Sequence, residues 1–152
     1  MKKTEVPQNN ENLLNGIQEI QYAVDEEGNY SQVKSYGWKP KNDALKQAVN
    51  ILDEQIEDAR LDVIEGKKSS LFFWMLLKQM DYSILKEYTG FSKFKIKRHC
   101  KTDTFKRLNN NKLLKYANTF EISIEKLKTV PNEKVDSLEF NFNFKIENKE
   151  IG

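Results

Sequence analysis

The stretch LKEYTGFSKFKIKRH, residues 85–99, decides how this chain is read. Leu85 and Tyr88 give a first short helix its apolar side. Thr89-Gly90 ends it, because a glycine suits the tight turn between two helices. Phe91 plugs the space between the helices, Ser92 is placed to cap the second one, and Ile96 anchors that helix from below. The remaining residues of the second helix are Lys93, Phe94, Lys95, Lys97 and Arg98. A short exposed helix with four cations and two apolar anchors fits the width and charge of a DNA major groove.

Charge along the chain gives this stretch its setting. The 152 residues hold 25 Lys+Arg and 23 Asp+Glu, a formal charge of only +2. Residues 1–90 are net −4, residues 91–117 are net +8 with Asp103 as the only acid, and residues 118–152 are net −2. The basic island is Lys93, Lys95, Lys97, Arg98, Lys101, Lys106, Arg107, Lys112 and Lys115. It makes a local positive field that the total conceals. A run of lysines is more often a solvated face, so the island gains meaning only from the helix that carries part of it.

On the N-terminal side, Ser69 or Ser70 opens the apolar run LFFWMLLKQM, whose length and lack of β-branched residues favour a mostly buried helix. Before it, Leu45, Val49, Leu52, Ile56, Ala59 and Val63 form one apolar stripe, which predicts a helix over 43–65 ended by Gly66. Asn42 is its expected N-cap. Asp53, Glu54, Glu57, Asp58, Asp62 and Glu65 make its other faces acidic. The stripe covers about three heptads, enough for a coiled-coil dimer, although packing onto the rest of the chain is the simpler use. Further back, Ile20, Tyr22 and Val24 alternate, Asp25–Asn29 reads as a turn, and Tyr30–Tyr36 resumes an extended pattern. This predicts a β-hairpin with a five-residue loop. Tyr30, Tyr36 and Trp38, near Lys34 and Lys39, could stack single-stranded nucleic acid, but such aromatics more often pack a hairpin onto a helix.

On the C-terminal side, helices are expected over Asn110–Phe120 and from Ser123. The stretch TVPNEKVDS, residues 129–137, reads as a linker. Leu138, Phe140, Phe142, Phe144 and Ile146 then alternate strictly with polar residues, which predicts a strand. The organisation expected is a disordered 1–12, a hairpin and acidic helix over 13–68, a helical domain over 69–128, the linker, and a strand over 138–148.

Residues 71–128 resemble the lambda-repressor-like, Cro/repressor-type helix-turn-helix family. The resemblance rests on Leu85, the turn Thr89-Gly90-Phe91-Ser92 and Ile96, and on the closing segment LLKYANTFEISIEKL, residues 113–127. It covers about two-fifths of the chain. Three positions depart from the family pattern. Tyr82 stands where a glutamine is common, Glu121 where a glycine is common before the last helix, and Phe94 where a polar base-reader is common. The connection from His99 to Leu108 is about two residues longer and contains Phe105, an extra core anchor. The resemblance implies a five-helix domain; with the N-terminal hairpin, the long acidic helix and the C-terminal strand read from the patterning, the chain is expected to be α+β. It implies double-stranded DNA as partner and a homodimer on two half-sites. Base edges would be met by Lys93, Phe94 and Arg98. Phosphates would be met by Tyr82, Lys95, Lys97, Lys101, Lys106 and Arg107. A protein partner on the acidic helix 43–65 or on strand 138–146 is a further expectation, and a protein-interaction module that keeps the fold without binding DNA is the rival reading.

Other chemistry is poorly supplied. His99 is the only histidine and Cys100 the only cysteine, so neither a zinc site nor an intrachain disulfide can form. As neighbours on a helix they point about 100° apart, a poor nucleophile–base pair. Gly66-Lys67-Lys68-Ser69 lacks the upstream glycine of a phosphate loop. No catalytic residue, cofactor or metal is therefore expected. The longest apolar run, Leu71–Leu77, is far short of a membrane span, and no apolar segment follows the basic N-terminus as in a secretory signal. A cytoplasmic, non-enzymatic regulator of transcription is the reading these residues support.

Overall fold

The computed structural model describes residues 2–6, 19–35, 37, 39–137 and 139–140. Among them it is an α+β arrangement of one two-stranded antiparallel hairpin and seven helices. The chain falls into two compact units, residues 1–51 and 52–152.

In the first unit, β1 (Glu19–Val24) pairs with β2 (Tyr30–Ser35), from Glu19 opposite Ser35 to Val24 opposite Tyr30. The five-residue loop is built by Asp25, whose Oδ1 accepts from the backbone N–H groups of Glu27 and Asn29 at 3.0 and 2.8 Å. This local bonding is what makes aspartate a turn-former. The faces of the hairpin differ from the expectation. Ile20 and Tyr22, the alternating apolar residues, are 60% and 66% exposed, whereas Ala23 and Ser35 on the opposite face are buried. Lys2 forms a parallel bridge to Val24, and Lys3–Glu5 is a single 3₁₀ turn within the stretch expected to be disordered. Tyr36 and Trp38, two members of the expected stacking platform, lie outside the described residues, while Tyr30 is exposed.

The long helix α1 runs over Lys39–Ile64, four residues earlier at its start than expected. Pro40 explains the difference. It sits in the first turn, where its missing N–H would have had no intrahelical partner. Asn42 is thus inside the helix and buried rather than capping it. Gly37 precedes the helix at φ 87°, and a Cβ there would meet Asn42 Oδ1 at 2.8 Å. The backbone conformation therefore favours glycine, and a larger residue would also have to displace the Asn42 amide.

The second unit has the core. Ile56 from α1 joins Leu71, Phe73, Trp74, Met75 and Leu77 of α2 (Ser70–Leu77), Leu85 of α3 (Tyr82–Thr89), and Ile96 and Cys100 from α4 (Lys93–His99) and its end. Phe105 of α5 (Thr102–Lys106), Leu113, Tyr116, Ala117 and Phe120 of α6 (Asn110–Phe120), and Leu127 of α7 (Ile124–Leu127) complete it. The long connection from His99 to Leu108 thus holds a helix of its own, fastened by Phe105, so this region has six helices where five were expected. Glu121, at the position where the family pattern has glycine, ends α6 at φ 56°.

Residues 129–137 contain little regular structure but are tied to the helices. Trp74 Nε1 donates to the Thr129 carbonyl at 2.9 Å, and Arg60 donates to the carbonyls of Pro131 and Asn132 while Glu57 grips its guanidinium. Ser137 N–H donates to Asp53 at 3.0 Å. Part of the acidic face of α1 is therefore used to hold this segment. Of the expected strand 138–148, only residues 139 and 140 are described, and both lie in a helical turn in which Phe140 N–H donates to the Asp136 carbonyl. Asp136 caps that turn by accepting from Glu139 N–H, so local capping overrides the alternating pattern at this point. The rest of the strand lies outside the described residues.

Candidate functional site

Two caps and one glycine shape the 81–100 region. Asp81 accepts from Ile84 N–H at 2.8 Å and opens α3; Ser92 accepts from Lys95 N–H at 3.3 Å and opens α4. Gly90, at φ 74°, ends α3 in the left-handed region. Thr89 is buried and serves the turn twice. Its hydroxyl donates to the Leu85 carbonyl at 2.6 Å and accepts from Phe91 N–H at 3.2 Å. Leu85 and Ile96 are fully buried, so α3 and α4 are fastened through the same core, whereas Tyr88, expected beside Leu85 on the apolar side of α3, faces outward.

The sidedness of α4 follows from its periodicity. Ile96, His99 and Cys100 are buried. At about 100° per residue, Phe94 and Arg98 fall opposite them, flanked by Lys97 and Lys93, with Lys95 on the other edge. All five are exposed, Phe94 by 70%. The structure thus brings two of the three base-contact candidates, Phe94 and Arg98, onto one open face with Lys97 at its edge; Lys93 is exposed further round, toward the buried side. Arg98 lies over the Phe94 ring, 5.9 Å from its centroid, and Lys97 Nζ lies 5.4 Å from the Tyr82 ring. None of these cations joins the salt bridges seen among the described residues, which link Arg60 to Glu57 and Lys67 to Glu65.

The other candidates are more scattered. Lys101 is exposed just beyond α4, and Lys106 and Arg107 are exposed at the end of α5. Lys106 lines a cleft of about 470 Å³ with Lys68, Lys128 and an apolar floor of Phe105, Leu108 and Leu113; no residue of α4 reaches it. Tyr82 is half-buried; burial, with Cys100 beside it, raises its pKa. It is therefore partly committed to the interior rather than aimed outward.

Two contributors escaped the sequence reading of site residues. Lys112 and Lys115 of α6 are exposed beside the base of α4. Lys115 Nζ lies 5.0 Å from the Phe91 ring, and Lys112 helps hold the His99 pKa below its ordinary value. Their place in the basic island was the available signal; their nearness to α4 depends on packing between distant segments.

Beneath this face lies an aromatic cluster. His99 Nδ1 and the Tyr116 hydroxyl share a hydrogen bond of 2.7 Å, and Phe91 stands edge-on to His99 at 5.4 Å. Burial is the main cause of the lowered His99 pKa, with Lys112, Lys95 and Arg98 adding to it. Burial also pushes the Cys100 thiol up to about 11 and raises Tyr116. A neutral imidazole, a protonated thiol and a phenol packed together give α4 a firm seat. They do not form an activated nucleophile. Among the described residues there is no cluster of three His, Cys, Asp or Glu that could hold a metal, and no helix long and apolar enough to cross a membrane. In comparisons with known proteins, no family model, no curated protein and no solved structure matches this chain.

Proposed function

We propose that this chain is a DNA-binding transcriptional regulator of the lambda-repressor-like helix-turn-helix type. In this reading α3 and α4 form the motif, α4 docks in the major groove, and no catalytic step is involved. The observation that carries the proposal is the outer face of α4, where Phe94, Lys97 and Arg98 are exposed together, with Lys93 exposed beyond the Lys97 edge, on a helix held by Ile96 from behind. Arg98 has the planar fork that bonds guanine O6 and N7. Lys95, Lys101, Lys112 and Lys115 lie around this face to neutralise phosphates, which supplies affinity and salt dependence without sequence information. Binding as a dimer would place two such helices on half-sites about one helical turn apart.

The test is fluorescence anisotropy of a labelled generic duplex at several salt concentrations. Affinity should fall steeply with salt, and the triple variant K93A/K97A/R98A should lose binding while keeping its helical circular dichroism. Replacing Lys112 or Lys115 with alanine should reduce the salt slope by about one unit for each phosphate that is no longer neutralised. Absence of binding at low salt overturns the proposal. The exposed aromatics Tyr88 and Phe94 favour the second reading, a protein-interaction surface on the same helices. That reading gains if duplex DNA fails to bind and the F94A variant loses a protein partner that the triple cation variant keeps.

A further inference from the structure

The outer face of α4 has a feature that a phosphate-binding surface does not need. Phe94 lies at its centre, 70% exposed, rather than at its margin. Single exposed apolar residues are common and by themselves mean little. Here the ring is one turn before Arg98, and the Arg98 guanidinium lies over it at 5.9 Å from the centroid. Residues four apart share a helix face, and an aromatic ring attracts a guanidinium through its quadrupole. The ring therefore attracts the fork that would meet a base, while offering an apolar surface beside it.

We propose that Phe94 and Arg98 form one reading unit, which recognises a pyrimidine 5-methyl group next to a guanine in the major groove. The inference rests on the DNA-binding reading above and adds the sequence class read by that site. The chemistry of the two halves differs. Thymine presents its C5-methyl group in the major groove, and guanine presents the N7 and O6 acceptors. An aromatic ring buries the methyl; a guanidinium bonds both acceptors. The separation of 5.9 Å lies within two base-pair rises of about 3.4 Å each. Lys93 and Lys97 on one edge and Lys95 on the other have compact charges that do not distinguish a methylated pyrimidine from an unmethylated one.

The experiment uses the full chain and a random-sequence duplex library. Bound duplexes are enriched over several rounds, and the enriched pool is then copied with thymidine or with deoxyuridine, which differ only by the methyl group. The wild-type protein should bind the thymidine pool about fourfold more tightly, the effect of burying one methyl-sized group. Phe94→Ala should bind both pools alike, and Phe94→Leu, which retains an apolar side chain, should keep part of the preference. In a pool copied with 7-deazaguanine, wild-type affinity should fall, and Arg98→Ala should be indifferent to the change. Equal wild-type binding of the thymidine and deoxyuridine pools overturns the inference and leaves DNA binding standing. Failure to enrich any duplex at low salt overturns both.

Discussion

The hairpin of residues 19–35 and the helical unit beginning at residue 52 place their apolar residues in opposite ways. In the hairpin, Ile20, Tyr22 and Tyr30 face outward, and the buried apolar residue is the small Ala23. In the helical unit, Trp74, Phe73, Tyr116, Phe120, Leu85 and Ile96 are all enclosed. A two-stranded hairpin is marginal by itself in water, so its geometry leans on the turn chemistry of Asp25 and Gly28. The helical unit encloses its large apolar side chains in one core, and it keeps charged and aromatic residues exposed on α4. A rigid seat with an open face is what a recognition surface needs.

Substitutions can sharpen this comparison or break it. Trp74→Ala should have the largest effect. It removes a fully buried ring, its edge-on packing against Phe73 and its hydrogen bond to Thr129, and should cost about 3–5 kcal/mol in urea unfolding. Alkylation of Cys100 reports the same event. The thiol is buried and its pKa raised to about 11, so it should react slowly in the native protein and much faster in this variant.

The turn should be next. Gly90→Ala meets open space but forces a side chain to adopt φ 74°, and should cost about 1–2 kcal/mol. Ser92→Ala, which removes the cap of α4, should cost about 1 kcal/mol. If affinity for duplex DNA falls by more than this loss of stability explains, the cap also positions the reading helix.

The pH dependence tests the seat of α4. His99 has a folded pKa below its ordinary 6.5, so the unfolded chain takes up the proton first as pH falls. The stability this contributes is complete above about pH 6.5 and is lost progressively below it. Thermal midpoints should therefore fall between pH 7 and pH 5.5 in the wild type, and the His99→Gln variant should be flatter over that range. At the small end, Tyr30→Ala in the hairpin should change stability by no more than about 0.5 kcal/mol, because the side chain is exposed. A loss comparable to that of Trp74→Ala would break the contrast between the two regions.

Much of this arrangement was legible as local chemistry. Asp25 and Gly28 announce the hairpin loop, Gly90 and Ser92 the turn and the start of α4, and the stripe from Leu52 to Val63 the helix that reaches the core. Such signals depend on neighbours within a few residues. The candidate face was legible for the same reason, since Lys93, Phe94, Lys97 and Arg98 share one helix and Ile96 marks its opposite side.

The readings that changed depended on competition between local signals or on distant partners. The helix expected from residue 43 begins instead at Lys39, because its first turn accommodates Pro40. The alternation of Ile20, Tyr22 and Val24 marks a strand but not its covered face, because period two leaves the two faces equivalent until another element approaches. The sequence by itself determined the types of the main elements and the concentration of positive charge after residue 90. Tertiary structure alone decided that α5 fills the connection after His99, that Arg60 and Trp74 hold residues 129–132, and that Lys112 and Lys115 join the surroundings of α4. Those outcomes rest on packing between residues far apart in sequence, and only a close-packed core brings them together.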